Sequence, residues 1–400
     1  MPNALGGFAR VALALCCTFG ITACAGDVAG SADAGGRPSA NSTARPTPTS
    51  TGSPTPVVPP SVESSATQGR PEARVPVSCE QLIDVESIAL AVGVPAADVS
   101  ANVHPLANGS AASMQAGMLE CGWHGDAGTV ASGLTVEVLP DAAGEYTAYI
   151  NGLPLPDTQD GLIGPESRIR CYEDEVGRSC TASFLSSGYW LNFSLVQPPV
   201  DQPNSDADIL AIGVATGAAM RDALDAAGQP LPQFQPPEGS LPAWESCDTI
   251  DDGGAFRSAL GSASLGAPEA EESDDAIAMF AIAWQRAEFR GCSWRHSDPY
   301  SSPAGELRLL SASILPGGEW AWPELAHAAL AKDGASEVDI NGAESAVVSC
   351  SSYEEYAGCK VEALVDGSYL SVDTGFDESG EGSARTRAIE AMTLIVPRLS

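Results

Sequence analysis

Basic residues are scarce in this 400-residue chain: 19 Lys and Arg stand against 52 Asp and Glu, a formal net charge of −33. The few that are present form no cluster along the sequence. A nucleic-acid partner needs a positive stripe facing its phosphates, so no nucleic-acid role is expected, and anionic lipid headgroups are repelled for the same reason. The acidic excess would suit a cation or a basic protein. It serves equally well as a solubilising surface that selects no partner.

Recognisable catalytic chemistry is absent too. There are four histidines, His104, His124, His296 and His327. Only His124 and His296 occupy related places, and neither has a partner at ligand or triad spacing. No nucleophile elbow, metalloprotease helix or phosphate loop occurs. The exported part has no Cys-x-x-Cys pair, which removes the usual zinc and thiol-redox patterns. Carboxylates are so common that no pair of them stands out. Glu269 to Asp275 and the group Asp248, Asp251 and Asp252 are acidic enough for a loose calcium site, but the alternating ligand order of an EF-hand is missing. Solvated loops are the expectation, with no catalytic residue, no metal and no cofactor.

Long apolar runs are equally few. Val11 to Ile21 follows Arg10 and is too short to span a bilayer comfortably, so residues 1–23 read as a secretory signal. The tetrad Ile21-Thr22-Ala23-Cys24 resembles the lipobox of bacterial lipoproteins. That resemblance implies cleavage before Cys24, diacylation of its thiol, and a cell-membrane location on the extracytoplasmic face. Two acyl chains suffice for stable anchoring. Plain secretion with Cys24 as one more thiol is the alternative.

Residues 24–75 are rich in Pro, Ser, Thr, Gly and Ala, as in Arg45-Pro46-Thr47-Pro48-Thr49, and hold too few large apolar residues to offset ordering. A disordered tether is expected, roughly 40 Å across as a coil and up to about 150 Å as extended polyproline.

Eight cysteines beyond Cys24 fall into two sets of four: Cys79, Cys121, Cys171 and Cys180, then Cys247, Cys292, Cys350 and Cys359. In each set the second cysteine opens a Cys-x-Trp triplet (Trp123, Trp294), and eight residues separate the third from the fourth. Gly93 and Gly261 keep register with the first cysteine, each closing an apolar pattern that looks like one short helix. Gly188 and Gly367 keep register with the fourth, each leading an alternating strand. Matching at so many points implies an internal duplication.

The expected fold is therefore α+β: two tandem homologous domains, each a sheet packed by helices with two disulfides, the sheet being antiparallel by the resemblance given below. Domain 1 spans 76–227, a Pro/Gln-rich linker and hinge 228–243, and domain 2 244–400. Within each copy the order reads helix, strand, strand, helix, hairpin, strand, helix. Val130 to Leu139 and Leu307 to Leu315 read as strands, Glu145 to Ile150 and Trp322 to Leu330 as helices, and Ile209 to Ala226 and Ala384 to Val396 as closing helices.

Export to an oxidising compartment and an even count per copy favour disulfides over free thiols. Four cysteines allow three pairings, and sequence alone does not choose among them. Neighbour pairing is the working expectation: Cys79 with Cys121, Cys171 with Cys180, Cys247 with Cys292, Cys350 with Cys359. Glu175-Val176-Gly177 and Tyr356-Ala357-Gly358 would then be hairpin turns. Trp123 and Trp294 are expected to pack against a bridge. Trp320, Trp322, Tyr146 and Tyr149 fit either an aromatic lip or a helix-to-sheet contact. Asn108-Gly109-Ser110 and Asn192-Phe193-Ser194 match the N-glycosylation triplet, which carries little weight in a bacterial lipoprotein.

Leader, lipobox, tether and the Cys, Cys-x-Trp, late-Cys-pair layout resemble surface lipoproteins of high-GC Gram-positive bacteria whose domain families have no assigned activity. More distantly they resemble two-disulfide extracellular sensor domains of receptor protein kinases. The likeness implies antiparallel α+β domains and transfers no catalytic residue. The functional expectation is a non-enzymatic surface protein that binds an envelope ligand or a protein partner, with a cleft between the domains as the natural site. A scaffold or accessory subunit of a membrane complex comes second, and an envelope hydrolase third.

Overall fold

The computed structural model describes residues 69–102, 106–125, 132–152, 157–173, 177–198, 205–262, 264–271, 278–296, 307–353, 356–375 and 380–399. Residues 63–400 form one compact unit. It contains two seven-stranded antiparallel sheets flanked by helices.

The first sheet uses β1 (Val99–Ala101), β2 (Leu119–Gly125), β3 (Ser132–Leu139), β4 (Gln159–Asp160), β5 (Ser167–Glu173), β6 (Arg178–Ser186) and β7 (Tyr189–Gln197), ordered β1-β2-β3-β7-β6-β5-β4. The second uses β8 (Glu269–Ala270), β9 (Arg290–Arg295), β10 (Leu309–Leu315), β11 (Ser336–Glu337), β12 (Ser345–Tyr353), β13 (Tyr356–Val365) and β14 (Ser368–Asp373). Its order is β8-β9-β10-β14-β13-β12-β11, the same path strand for strand. The sulfur framework and the topology thus repeat together.

The hairpins that close each sheet show why two glycines keep their place. Ser187 and Gly188 both adopt positive φ (50° and 86°), as do Asp366 and Gly367 (42° and 67°). Two left-handed residues in a two-residue loop match the right-handed twist of the flanking strands, and glycine bears that conformation without strain.

Helices α1 (Cys79–Leu82), α2 (Val85–Val92), α3 (Asn108–Gln115), α4 (Ala143–Gly152) and α5 (Ser205–Ala227) belong to the first half; α6 (Cys247–Asp251), α7 (Ala255–Ala259), α8 (Ala278–Arg286), α9 (Trp322–Leu330) and α10 (Glu381–Ile395) to the second. The single opening helix expected in each copy is broken in both. In the first copy Ile83 is extended and the Asp84 carboxylate restarts the helix by accepting the Ser87 amide at 2.8 Å. In the second copy Asp252, Gly253 and Gly254 all take positive φ. Gly93 caps α2 in the left-handed conformation at φ 73°.

One face of each sheet buries its own core. Val136, Phe184, Phe193 and Leu195 meet α2 and α5 residues such as Val92 and Met220. Val348, Val361, Val372 and Leu370 meet Ala388 and Met392 of α10.

The opposite faces share a third core that joins the halves. Leu139, Trp190, Met118 and Tyr146 of the first half pack with Leu315, Tyr369, Phe289 and Trp320 of the second. Here α3 lies against its counterpart α8, with Ala111, Ala112 and Ala116 buried beside Met279, Ala283 and Ala287. Small side chains let the helix backbones approach closely. A Cβ on Gly109 would stand 2.9 Å from the Trp284 ring, whose indole N–H donates to the Gly109 carbonyl at 3.1 Å. Gly109→Val is therefore expected to destabilise the fold by about 1–3 kcal/mol through overpacking, read from urea unfolding midpoints.

Polar bonds cross the same junction. The Gln115 amide donates to the Pro316 carbonyl at 2.7 Å and accepts from the Trp320 indole at 3.1 Å. Arg286 donates to the Pro140 carbonyl at 2.5 Å and to Glu145 at 2.8 Å.

These contacts correct two expectations. Among the described residues the junction is packed core, because both inward sheet ends are apolar, where a cleft was expected. The segment read as a hinge is pinned to both halves: Leu231 donates its amide to Arg74 O at 2.8 Å, Gln233 donates to Arg286 O at 3.1 Å, and Leu241 enters the second core.

Candidate functional site

The shared face of the first sheet changes character along its strands. It begins with the apolar row Leu185, Trp190 and Leu139, which belongs to the junction core. The next row crosses the sheet as Glu120, Glu137, Asn192, Ser183 and Arg168, each directly opposite its neighbour. The third row is Gly122, Thr135, Ser194, Thr181 and Arg170. Period-two alternation puts these polar residues on one face while Val136, Phe193 and Ala182 point into the core beneath.

Over the two polar rows lies an open groove of about 240 Å³, walled by Tyr149 and Ile150 of α4 and by Thr158. That volume lies just below the usual range for small-molecule sites, so the groove suits only a small ligand. Tyr149 is held by Trp190, with ring centroids 5.0 Å apart. Trp190 is in turn fixed by its indole N–H, which donates to Ser183 Oγ at 2.8 Å and Asn192 Oδ1 at 2.9 Å. The groove floor is thereby rigidly built. Arg168 pairs with exposed Asp160 at 3.4 Å, and the Arg170 guanidinium lies 5.5 Å from the Tyr172 ring.

At the β2–β3 side, Glu120 keeps an exposed surface, but desolvation by the chain packed around its carboxyl pushes it up to about 7, partly offset by a hydrogen bond with Ser113 of α3. Burial, with the Glu120 charge added, also raises Glu137 to about 7. Cross-strand neighbours of like charge titrate as a pair. The native state holds these protons through a pH range in which unfolded carboxyls, near 4.3, have lost them. Native protons therefore outnumber unfolded ones between about pH 4.3 and 7, and the pair's contribution to stability falls as pH rises through that window. Glu137→Gln is expected to stabilise the protein by about 1–2 kcal/mol at pH 8, after allowance for screening at the open groove, and by much less at pH 5. Urea unfolding at the two pH values checks this, and an equal gain at both would contradict it.

The corresponding face of the second half is closed. The row equivalent to Glu137, Asn192, Ser183 and Arg168 is Ser313, Ser371, Glu362 and Val347. Ser313, Ser371 and Glu362 are buried. The two serine hydroxyls meet at 2.7 Å, the Tyr369 hydroxyl donates to Glu362 at 2.5 Å, and Lys360 pairs with Glu362 at 2.8 Å. A carboxylate persists by a different route. Gly291 replaces Glu120 in front of its Cys, and the Glu271 carboxylate lies over it, where a Gly291 Cβ would be only 2.5 Å away. Burial raises Glu271 to about 7.

The cysteines bond as neighbours: Cys79–Cys121, Cys171–Cys180, Cys247–Cys292 and Cys350–Cys359. The late pairs clip directly opposed residues of adjacent strands, with Cα atoms 4.1 Å apart. Tyr353 pairs with Tyr356, so Tyr356-Ala357-Gly358 is strand and not the expected turn; Glu175 and Val176 lie outside the described residues. Cys24, residues 24–68 of the expected tether and His104 also lie outside them, whereas residues 69–75 do not behave as tether: the Arg74 amide donates to Gly117 O at 2.8 Å and Val75 is buried in the first core, so the ordered chain begins before the expected boundary at 76.

Trp123 and Trp294 are core residues, the latter 5.1 Å from the Phe256 ring. Trp320 belongs to the junction, Trp322 stacks toward Tyr369 at 6.4 Å, and only Tyr149 of the suspected aromatic lip borders the groove. Asn192 of the second glycosylation triplet is buried in the groove floor. His124 is exposed on β2, and the His296 amide continues the ladder by donating to Arg308 O at 2.9 Å. Asp251 is buried and paired with Arg257 at 2.9 Å. Among the described residues no three His, Cys, Asp or Glu side chains gather as a metal site, and no helix is long and apolar enough to cross a membrane.

Glu137, Arg168, Arg170, Asn192 and Tyr149 were not legible as a site. They come from three strands and a helix, and their only sequence signal is a polar or charged residue on the outward positions of otherwise ordinary strands. No family model and no curated protein matches the chain. Among solved structures, the chain has a weak likeness to DynU16, a protein of the dynemicin biosynthetic locus. Identity is 8%, coverage is 75% of this chain and 96% of that one, and the TM-score is 0.12.

Proposed function

We propose that this chain is a non-enzymatic surface lipoprotein, anchored through Cys24 to the extracytoplasmic face of the cell membrane, whose first half binds a small polar ligand of the envelope. The reading belongs with the lipoprotein resemblance of the leader and the layout of the cysteines. One observation carries the binding part: the groove between Tyr149 and the polar rows of the first sheet is open, while the equivalent residues of the second half, Ser313, Ser371, Glu362 and Val347, are all buried. A rigid sheet that presents hydroxyls, an amide and charges of both signs to a concavity is a suitable recognition surface.

The second half then serves as a structural partner. It buttresses α4 through Arg286 and Glu145 and buries the apolar end of the binding sheet.

Native mass spectrometry of the protein extracted gently from its own membrane tests the reading. A bound small molecule is expected, and it should be lost when Tyr149 is replaced by Ala. A stoichiometric protein partner with no small molecule would overturn it in favour of a scaffold role. Radioactive palmitate should label the native protein and leave Cys24→Ala unlabelled.

A further inference from the structure

We infer that the groove selects an anion, and that the ligand is a small hydroxylated carboxylic acid of the sugar-acid class; this rests on the groove being the binding site.

The argument begins with charge. In a chain of 52 acidic and 19 basic residues, an average concavity should be lined by acids. This one is lined by Arg168 and Arg170 against the acid Glu137, with exposed Asp160 pairing to Arg168 at its edge and Glu120 opposite Glu137 on the next strand. The inversion is local and positional, since the two arginines alternate with core-facing Ile169 on β5 and so must share the groove face. In the second half the same two positions are Val347 and Ser349, and there the face is closed. Loss of the cations and loss of the opening coincide.

The chemistry of the lining then narrows the ligand. Two guanidinium groups on one strand present planar donor forks, the geometry that matches a carboxylate. Between them and Glu137 run Thr135, Ser194, Thr181, Ser183 and Asn192, which offer short-reach donors and acceptors suited to hydroxyl groups. The Tyr149 ring forms the flank, held by Trp190, where the apolar face of a sugar ring can lie. Glu137 lies three strand spacings of about 4.8 Å each from the arginines, so one monosaccharide-sized molecule against Tyr149 would meet the arginines with its carboxylate and the hydroxyl and amide side chains beside them with its hydroxyls. Held partly protonated near neutrality, Glu137 can donate to a ligand hydroxyl and adds little repulsion.

Calorimetric titration of the full lipoprotein in detergent micelles with D-glucuronate, D-glucose and inorganic phosphate tests the inference. D-glucuronate is expected to bind at least tenfold more tightly than D-glucose, and phosphate is expected not to displace it. Arg168→Gln combined with Arg170→Gln should weaken glucuronate at least tenfold while the melting temperature stays within a few degrees. Equal binding of glucose, or glucuronate binding indifferent to the double variant, would overturn anion selection. Phosphate binding without glucuronate binding would overturn the sugar-acid class. If glucuronate fails while native mass spectrometry still finds a neutral or cationic molecule that Tyr149→Ala releases, the inference falls and the groove stands as the binding site.

Discussion

Trp190→Ala is expected to lower the unfolding free energy by about 3–5 kcal/mol, the range for a large aromatic removed from a packed core. Trp190 is fully buried where the junction core meets the groove. Its ring packs on Tyr146 at 5.6 Å and Tyr149 at 5.0 Å, so its removal leaves α4 without a floor. Its indole N–H bridges Ser183 and Asn192, two residues of the groove itself. Trp190→Phe separates the contributions. It keeps most of the apolar area and loses the two hydrogen bonds, and because the groove admits water to the stranded partners the cost should be nearer 1–2 kcal/mol.

Because the same residue supports the contact between the halves, the wild-type chain should melt in one cooperative transition, while the Ala variant should show the two halves beginning to separate. Urea unfolding followed by far-ultraviolet dichroism and tyrosine fluorescence measures both effects. An Ala variant within about 1 kcal/mol of wild type would mean that the junction core is far looser than its burial implies.

The second large effect is expected at the first disulfide. Replacing Cys79 and Cys121 together by Ala should cost about 4 kcal/mol, since the bridge closes a long loop in the unfolded chain, its ends 42 residues apart. Replacing Cys171 and Cys180 should cost about 3 kcal/mol by the same reasoning, because their separation is 9. The native state widens the gap. Cys171 and Cys180 sit opposite each other on strands already joined by a full ladder, whereas Cys79 opens the four-residue α1, whose other hold is the Ser78–Gln81 capping box and buried Leu82. A one-turn helix has little stability of its own. Chemical denaturation of the two double variants should rank them in that order; equal losses would show that α1 is held by its packing and not by the bridge.

Much of the architecture could be read in the chain, and the reasons are local. Cysteine spacing, the Ser187-Gly188 and Asp366-Gly367 loops, and the alternation of Tyr189 to Phe193 act over a few residues each. Helices α3 and α8 escaped that reading. Asn108–Gln115 is short, rich in Gly, Ser and Ala, and lacks a strong apolar stripe, so it resembles a loop. Its small residues make sense only against α8, which lies more than 160 residues away. The breaks after Leu82 and Asp251 were likewise hidden under a continuous apolar pattern.

The groove escaped for a related reason. Glu120, Glu137, Asn192, Ser183 and Arg168 are neighbours only because β2, β3, β7, β6 and β5 lie side by side in that register. A strand shows its own alternation in sequence but not the strand beside it, and a shift of one residue would have sent each of these side chains into the core.

By itself, then, the sequence determined an α+β framework written twice with an even set of cysteines in each copy, because turns, alternation and cysteine counts are short-range signals, while which cysteines pair was left to the structure. Only tertiary structure decided that the halves fuse through a shared apolar core, that a groove opens on the first sheet and is filled on the second, and that arginines and a raised carboxyl face one another across it. Burial and electrostatic environment are set by residues distant in the chain, and they come into being only when the sheets and helices pack.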